Sequence, residues 1–147
     1  MRRVIVLDAG PLGMVAHPRH NPEIKKWLQH QLHTGSFVAI SEITDYEVRR
    51  ELLRANKSTS IQRLDFLKTN LLYLPLSTAI MLQAASLWAQ VRNQGLPTAA
   101  NAALDADVIL AAQVIIQQAQ GDSVVVATTN IRHIERLVPA QLWQDIT

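Results

Sequence analysis

The sequence predicts an α/β protein, a single α/β/α sandwich around a central, mostly parallel sheet, with residues 1–147 forming one domain. Three observations carry that reading. Short β-branched runs alternate with longer helical patterns, and strands separated by helices join through right-handed crossovers into a parallel sheet covered on both faces. A chain of 147 residues is long enough to bury a sizeable core. No internal repeat and no linker rich in Gly or Ser divides it.

The elements follow in order. Val4–Leu7 is apolar throughout rather than alternating, the mark of a central strand buried on both faces. Asn21 or Pro22 opens a helix that runs to His33, and Thr34-Gly35-Ser36 ends it. Phe37–Ile40 reads as a second strand. Residues 44–56 are helical, with Val48, Leu52 and Ala55 on one side, and residues 58–69 form another helix through Ile61, Leu64 and Leu67. Leu71–Leu74, before Pro75, is a third strand. Residues 77–94 make a long amphipathic helix with Ile80, Ala84, Leu87 and Val91 in register. A loop, Gly95-Leu96-Pro97-Thr98, leads to a helix over 105–119. Val124–Ala127 is a further strand, followed by Thr128-Thr129-Asn130, and the tail adds a final strand or coil around Leu142–Ile146.

Composition limits the function classes. Fourteen basic against 12 acidic residues leave a net charge of +2, too mild to establish a polyanion partner by itself. There is no cysteine, so disulfides and thiolate zinc sites are excluded. Four apolar residues between Arg3 and Asp8 fall far short of a signal peptide's core, and no run reaches the ~18 apolar residues of a membrane span. A soluble, cytoplasmic domain is the expectation.

In a parallel sheet, ligands sit beyond the carboxyl ends of the strands. Asp8 follows the first strand and Asn130 follows the strand Val124–Ala127, so both belong to that rim. Two more acids are candidates. Glu47 lies near the start of its helix, where Thr44-Asp45-Tyr46-Glu47 also fits a capping box with Thr44 as the cap. Asp105 is placed as an N-cap in LDADVILAAQ, and Asp107 then falls in the first turn, where the helix dipole favours an acid. Asp8 itself could serve a turn before Gly10-Pro11. Each acid alone has an ordinary structural explanation, but their convergence does not. Three carboxylates in one crevice repel unless a cation compensates, and a hard divalent ion with oxygen ligands suits them. Such an ion activates water and stabilises a phosphate undergoing in-line displacement. The histidines at 17, 20, 30, 33 and 133 are scattered and offer no zinc pattern.

Taken in order, LDAGPL, EITDYEVRREL, DADVILAAQ and VVATTNIRHI resemble the PIN-domain nucleases, specifically the VapC-type toxins of bacterial toxin–antitoxin systems. The resemblance covers nearly the whole chain. It places Asp8 at the end of the first strand, Glu47 on the helix after the second, Asp107 in the Asp-x-x-Ile-Ala-Ala pattern with Leu110 in the Ile position, and Thr128 with Asn130 in the Thr-x-Asp/Asn motif. It implies an endoribonuclease dependent on Mg²⁺ or Mn²⁺, with Asp8 and Asp107 binding the metal, Glu47 acting through water, and Asn130 assisting from the rim, while Thr128 behind it is expected to bind substrate. It also implies a homodimer and a small antitoxin partner. The fourth position is the neutral Asn130, and Asp105, about 200° around the helix from Asp107, is either a cap or a replacement for the missing charge.

The residues add a substrate clue. Arg50 and Arg54 share a helix face with Glu47, flanked by Arg49 and Lys57: either a solvated helix end or a ridge guiding RNA phosphates. Trp27, Met81 and Trp88 are either core or the lining of a groove or dimer face. The alternative function is a catalytically weak or inactive PIN-like domain that binds RNA or an antitoxin without cutting. A haloacid-dehalogenase-like phosphatase would need a second Asp where Gly10 stands, a receiver domain would need paired acids before its Asp, and no G-x-G-x-x-G follows a strand.

Overall fold

The computed structural model describes residues 1–95 and 101–147. Five strands, β1 (Arg3–Leu7), β2 (Phe37–Ser41), β3 (Leu72–Leu74), β4 (Ser123–Thr128) and β5 (Ala140–Leu142), form one sheet in the order β3-β2-β1-β4-β5. Every pairing is parallel. The helices are α1 (Ala9–Ala16), α2 (Pro22–His33), α3 (Glu42–Arg54), α4 (Ser58–Asn70), α5 (Thr78–Asn93) and α6 (Asn101–Ala119), and a 3₁₀ turn spans Trp143–Asp145. Among the described residues no helix is long and apolar enough to cross a membrane.

β1 is central, and alternate side chains enter different layers. Val4 and Val6 pack with Ile80, Ala84 and Leu87 of α5 and with Val108 and Ala111 of α6. Ile5 and Leu7 pack with Leu12 and Val15 of α1, Ile24 of α2, Val48 of α3 and Leu64 of α4. Burial on both faces explains why the strand reads as an unbroken apolar run. Register then sets the rim. Leu7 pairs with Ile40 and with Ala127, so the next residues along, Asp8, Ser41 and Thr128, emerge side by side at the carboxyl edge.

Several expected boundaries move. α1 was not foreseen, because Gly10, Pro11 and Gly13 read as a turn. Pro11 is harmless in a first turn, where a backbone N–H has no intrahelical acceptor. Burial of Leu12, Val15 and Ala16 against the sheet stabilises the helix. α6 begins at Asn101 rather than 105, which places Asp105 inside the helix and Asp107 in its second turn; neither is a cap. Fully buried Leu104 anchors the added turn. α3 begins at Glu42, and its cap is Ser41, whose Oγ accepts from the Thr44 N–H, so Thr44 is not the cap of a box with Glu47. The last strand lies at Ala140–Leu142, ahead of its expected place. Of the expected loop after Gly95, Leu96, Pro97 and Thr98 lie outside the described residues.

Candidate active site

Asp8 leaves β1 in extended conformation and becomes the N-cap of α1. Its two oxygens are held separately: Oδ1 accepts the Ala9 N–H at 2.9 Å, and Oδ2 accepts the Thr128 hydroxyl at 2.8 Å. The expected turn role and the expected site role therefore coincide, since the cap fixes the rotamer that faces the rim. Thr128 is 1% exposed, so it stands behind Asp8 and out of reach of a large substrate. Its Oγ1 also accepts the Asn130 N–H at 3.1 Å. Asn130 is exposed at the rim, its Oδ1 accepting the Arg132 N–H at 3.3 Å.

Glu47 sits in the second turn of α3 and Asp107 in the second turn of α6, both half-buried, and neither makes a capping bond. Burial pushes the Glu47 carboxyl up to about 7, and the negative charges of Asp8 and Asp107 push it the same way against the opposing pull of Arg50. Asp107 rises to about 6, again chiefly through burial and then through Asp8, while His133 and Arg136 oppose the shift. Three acids from β1, α3 and α6 thus share one electrostatic environment. Asp105 does not join them: exposed on another side of α6, it lines a groove with Met81, Ala84 and Trp88.

Among the described residues, no group of three or more His, Asp and Glu side chains forms a ready-made metal cage. The donor set is nevertheless of the kind a hard cation takes. All its donors are oxygens, its charges repel one another, and Mg²⁺ keeps several waters while using one or two carboxylates directly. His133 and Arg136 are the neighbours that the sequence did not announce. They come from the irregular stretch after Asn130, where no periodicity marks a facing side chain.

The basic positions of α3 divide. Arg49 binds Asp45 through two bonds of 3.1 and 3.0 Å and reaches Asp65 of α4 at 2.8 Å, a tie within the fold rather than a free flank of the ridge. Arg50 is exposed, with its guanidinium 5.1 Å from the Tyr46 ring centre. Arg54 pairs with Glu51 at 2.9 Å on the open surface. Trp27 packs edge-on against Trp143 and donates to the Ile146 carbonyl, so it belongs to the core margin. Met81 and Trp88 are 45% and 38% exposed and line a groove of about 380 Å³ between α5 and α6.

No family model matches the sequence, and no curated protein does. Solved structures do match in fold. A chain of VapBC2 from Rickettsia felis, bound to a DNA fragment from its promoter, superposes with a TM-score of 0.76 at 17% identity, over 95% of this chain and 98% of that one. A chain of VapBC-1 from nontypeable Haemophilus influenzae gives 0.71 at 18% identity, over 97% and 99%. FitAcB from Neisseria gonorrhoeae gives 0.69 at 18% identity over the same shares, 97% and 99%. Identities this low speak to architecture alone, and on architecture they agree with the resemblance in the motifs: the chain has the PIN-like α/β/α fold of these VapBC and FitAB chains.

Proposed function

We propose that the protein is an endoribonuclease dependent on Mg²⁺ or Mn²⁺, and the toxin of a toxin–antitoxin pair. The observation that carries this reading is the meeting of Asp8, Glu47 and Asp107 at the carboxyl rim of a PIN-like sheet, where burial first and their like charges second raise the Glu47 and Asp107 carboxyls. Asp8 and Asp107 are the residues that would hold the ion directly, with Glu47 and Asn130 reaching it through water. When bound, the ion supplies charge neutralisation at the phosphate and makes water easier to deprotonate. The remaining work falls to the chain. Glu47, raised to about 7 in the metal-free chain, would be drawn down and ionised by a bound cation, which leaves its carboxylate free to take a proton from the attacking water at neutral pH. Thr128 keeps Asp8 in one rotamer, and Arg50 and Arg54 offer charge to the RNA backbone beside Glu47. Exposed ion pairs such as Arg54–Glu51 contribute at most about 1 kcal/mol, so Arg54 can exchange its partner for a phosphate.

The same reading includes a small antitoxin, a homodimer and a cytoplasmic setting. Met81 and Trp88, seven residues apart on one side of α5, give it an exposed apolar stripe suited to one of those contacts. The test is cleavage of a mixed RNA pool with Mg²⁺ or Mn²⁺, beside EDTA and Asp8→Ala controls. Cutting that vanishes in both controls supports the reading. Folded, antitoxin-free protein that cuts nothing with either metal would instead indicate a PIN-like domain that binds RNA or an antitoxin without cleavage. Asn130→Asp would then be tested for a gain of activity.

A further inference from the structure

A second charged surface lies away from the carboxylates, at the other end of α1. Six basic side chains from four parts of the chain meet there: His17, Arg19 and His20 after α1, Lys25 of α2, Lys57 before α4, and Arg63 of α4. The cluster is built rather than accidental. The Lys25 ammonium donates to the His17 carbonyl at 2.5 Å and Arg63 Nε to the Val15 carbonyl at 2.7 Å, so two cations cap the C-terminal end of α1. His17 Nδ1 accepts the Arg19 and His20 N–H groups, and its ring centre lies 4.6 Å from that of His20. Arg19 and Lys57 are exposed, and their side chains make no hydrogen bond or ion pair among the described residues.

None of the six is salt-bridged to an acid among the described residues, and the charged groups that act on His17 and Lys25 are all basic. The positive charges therefore act on one another. Burial, followed by His20, Lys25, Lys57 and Arg19, lowers the His17 pKa, and burial with Arg63 lowers that of Lys25. Just as three carboxylates call for a cation, this cluster calls for an anion.

We propose that this surface is a phosphate-docking site that grips the flank of a single-stranded RNA whose scissile bond lies at Asp8. The inference rests on the nuclease reading and extends it. Asp8 and His17 cap the two ends of the eight-residue α1 and so lie about 14 Å apart along its axis. Along α3, Arg50 and Arg54 lead from Glu47 toward Lys57, which joins the two regions into one basic track. An acidic protein segment is the weaker occupant. None of the six positions is apolar, and the exposed Leu53 and Phe66 belong to α3 and α4 outside the cluster, so the cluster itself gives a peptide no apolar anchor. A phosphate backbone needs only charge, and the exposed His20 ring, tilted 45° from that of His17, offers one face to a base.

The test has two arms. Binding of a labelled, mixed-sequence single-stranded RNA of about 20 nucleotides is measured by anisotropy in EDTA, where no metal-dependent cutting occurs. Arg19→Ala/His20→Ala/Lys57→Ala should bind about tenfold more weakly, with the salt slope reduced by about 1–2. Should that variant melt early, Arg19→Gln/Lys57→Gln replaces it, since neither side chain supports the fold. In the second arm, with Mg²⁺, the variant should raise KM for the long RNA at unchanged kcat and leave a tetranucleotide substrate unaffected. Wild-type affinity and salt slope in the variant would overturn the inference. So would loss of polyglutamate binding with RNA binding intact, which assigns the surface to a protein partner. If no RNA is cut at all, the nuclease reading fails while the EDTA arm still decides whether this surface holds RNA.

Discussion

The Thr128 hydroxyl donates to Asp8 Oδ2 at 2.8 Å, across 120 positions of sequence. With Ala9 N–H on Oδ1, this bond grips both carboxylate oxygens and leaves their remaining lone pairs toward the rim. Thr128→Val removes the donor at constant shape. RNA cleavage should fall roughly 10–100-fold, the usual effect of losing a residue that orients a metal ligand. Stability should drop by about 1–3 kcal/mol, because the bond is to a charged group. Thr128→Ser should recover most of both. Cleavage assays beside urea melts check this, and a fully active Thr128→Val would mean that Asp8 keeps its place unaided.

Gly10 governs the same junction from the other side. A Cβ added there would stand 2.4 Å from Thr129 Oγ1 and 3.1 Å from its Cγ2, so α1 and the end of β4 approach as closely as a glycine allows. Alanine would gain about 1 kcal/mol of helix propensity but meet a clash costing about 1–3 kcal/mol. Gly10→Ala should therefore be net destabilising in urea unfolding, and pairing it with Thr129→Gly should restore what the clash removed. Equal stability of Gly10→Ala and wild type would show that Thr129 rotates aside freely.

What the sequence disclosed depended on how local each signal was. The parallel sheet was legible because Val4–Leu7 and Val124–Ala127 are doubly buried and hence uniformly apolar. Asp8 was legible because it follows such a strand directly. α1 was hidden because Gly10, Pro11 and Gly13 signal a turn, whereas the helix depends on tertiary burial of Leu12 and Val15. Glu47 and Asp107 each had a misleading local explanation. The true cap of α3 is Ser41 and α6 starts four residues before Asp105, so neither acid is used as a cap. Arg49 showed the opposite failure: its place beside Glu47 suggested a role toward substrate, but its partner Asp65 lies on another helix.

The raised carboxyls make stability depend on pH. An acid with a higher pKa in the folded chain than in the unfolded one holds its proton more tightly when folded. Its contribution is fully present below the ordinary values of 4.5 for Glu47 and 3.8 for Asp107, and is lost as pH rises through about 7 and about 6. Both side chains are half-buried, so solvent screening limits the loss to about 1 kcal/mol each. Metal-free protein should melt lower at about pH 8 than at about pH 5 through this pair, and Glu47→Gln should remove much of the difference. Millimolar Mg²⁺ should raise the melting temperature at the higher pH and have little effect at the lower, where Glu47 and Asp107 keep their protons. A melting temperature insensitive to Mg²⁺ at both pH values would contradict metal binding at these acids.

Arg49 and Arg50 are adjacent, yet their substitutions should separate stability from RNA binding. The Arg49 guanidinium satisfies Asp45, which is 6% exposed, and ties α3 to α4 through Asp65. Arg49→Ala leaves a buried carboxylate without its partner, which costs about 3–5 kcal/mol where burial is complete and about 2–3 kcal/mol at this partly open pair. Arg50 lies over the exposed Tyr46 ring, a contact contributing about 0.5–1 kcal/mol. Arg50→Ala should therefore melt near wild type while weakening RNA binding and reducing the salt slope by about 1. Urea melts and anisotropy titrations on the two variants read both quantities. If Arg49→Ala were stable and RNA-deficient instead, Arg49 would belong to the RNA track and the α3–α4 tie would contribute little to the fold.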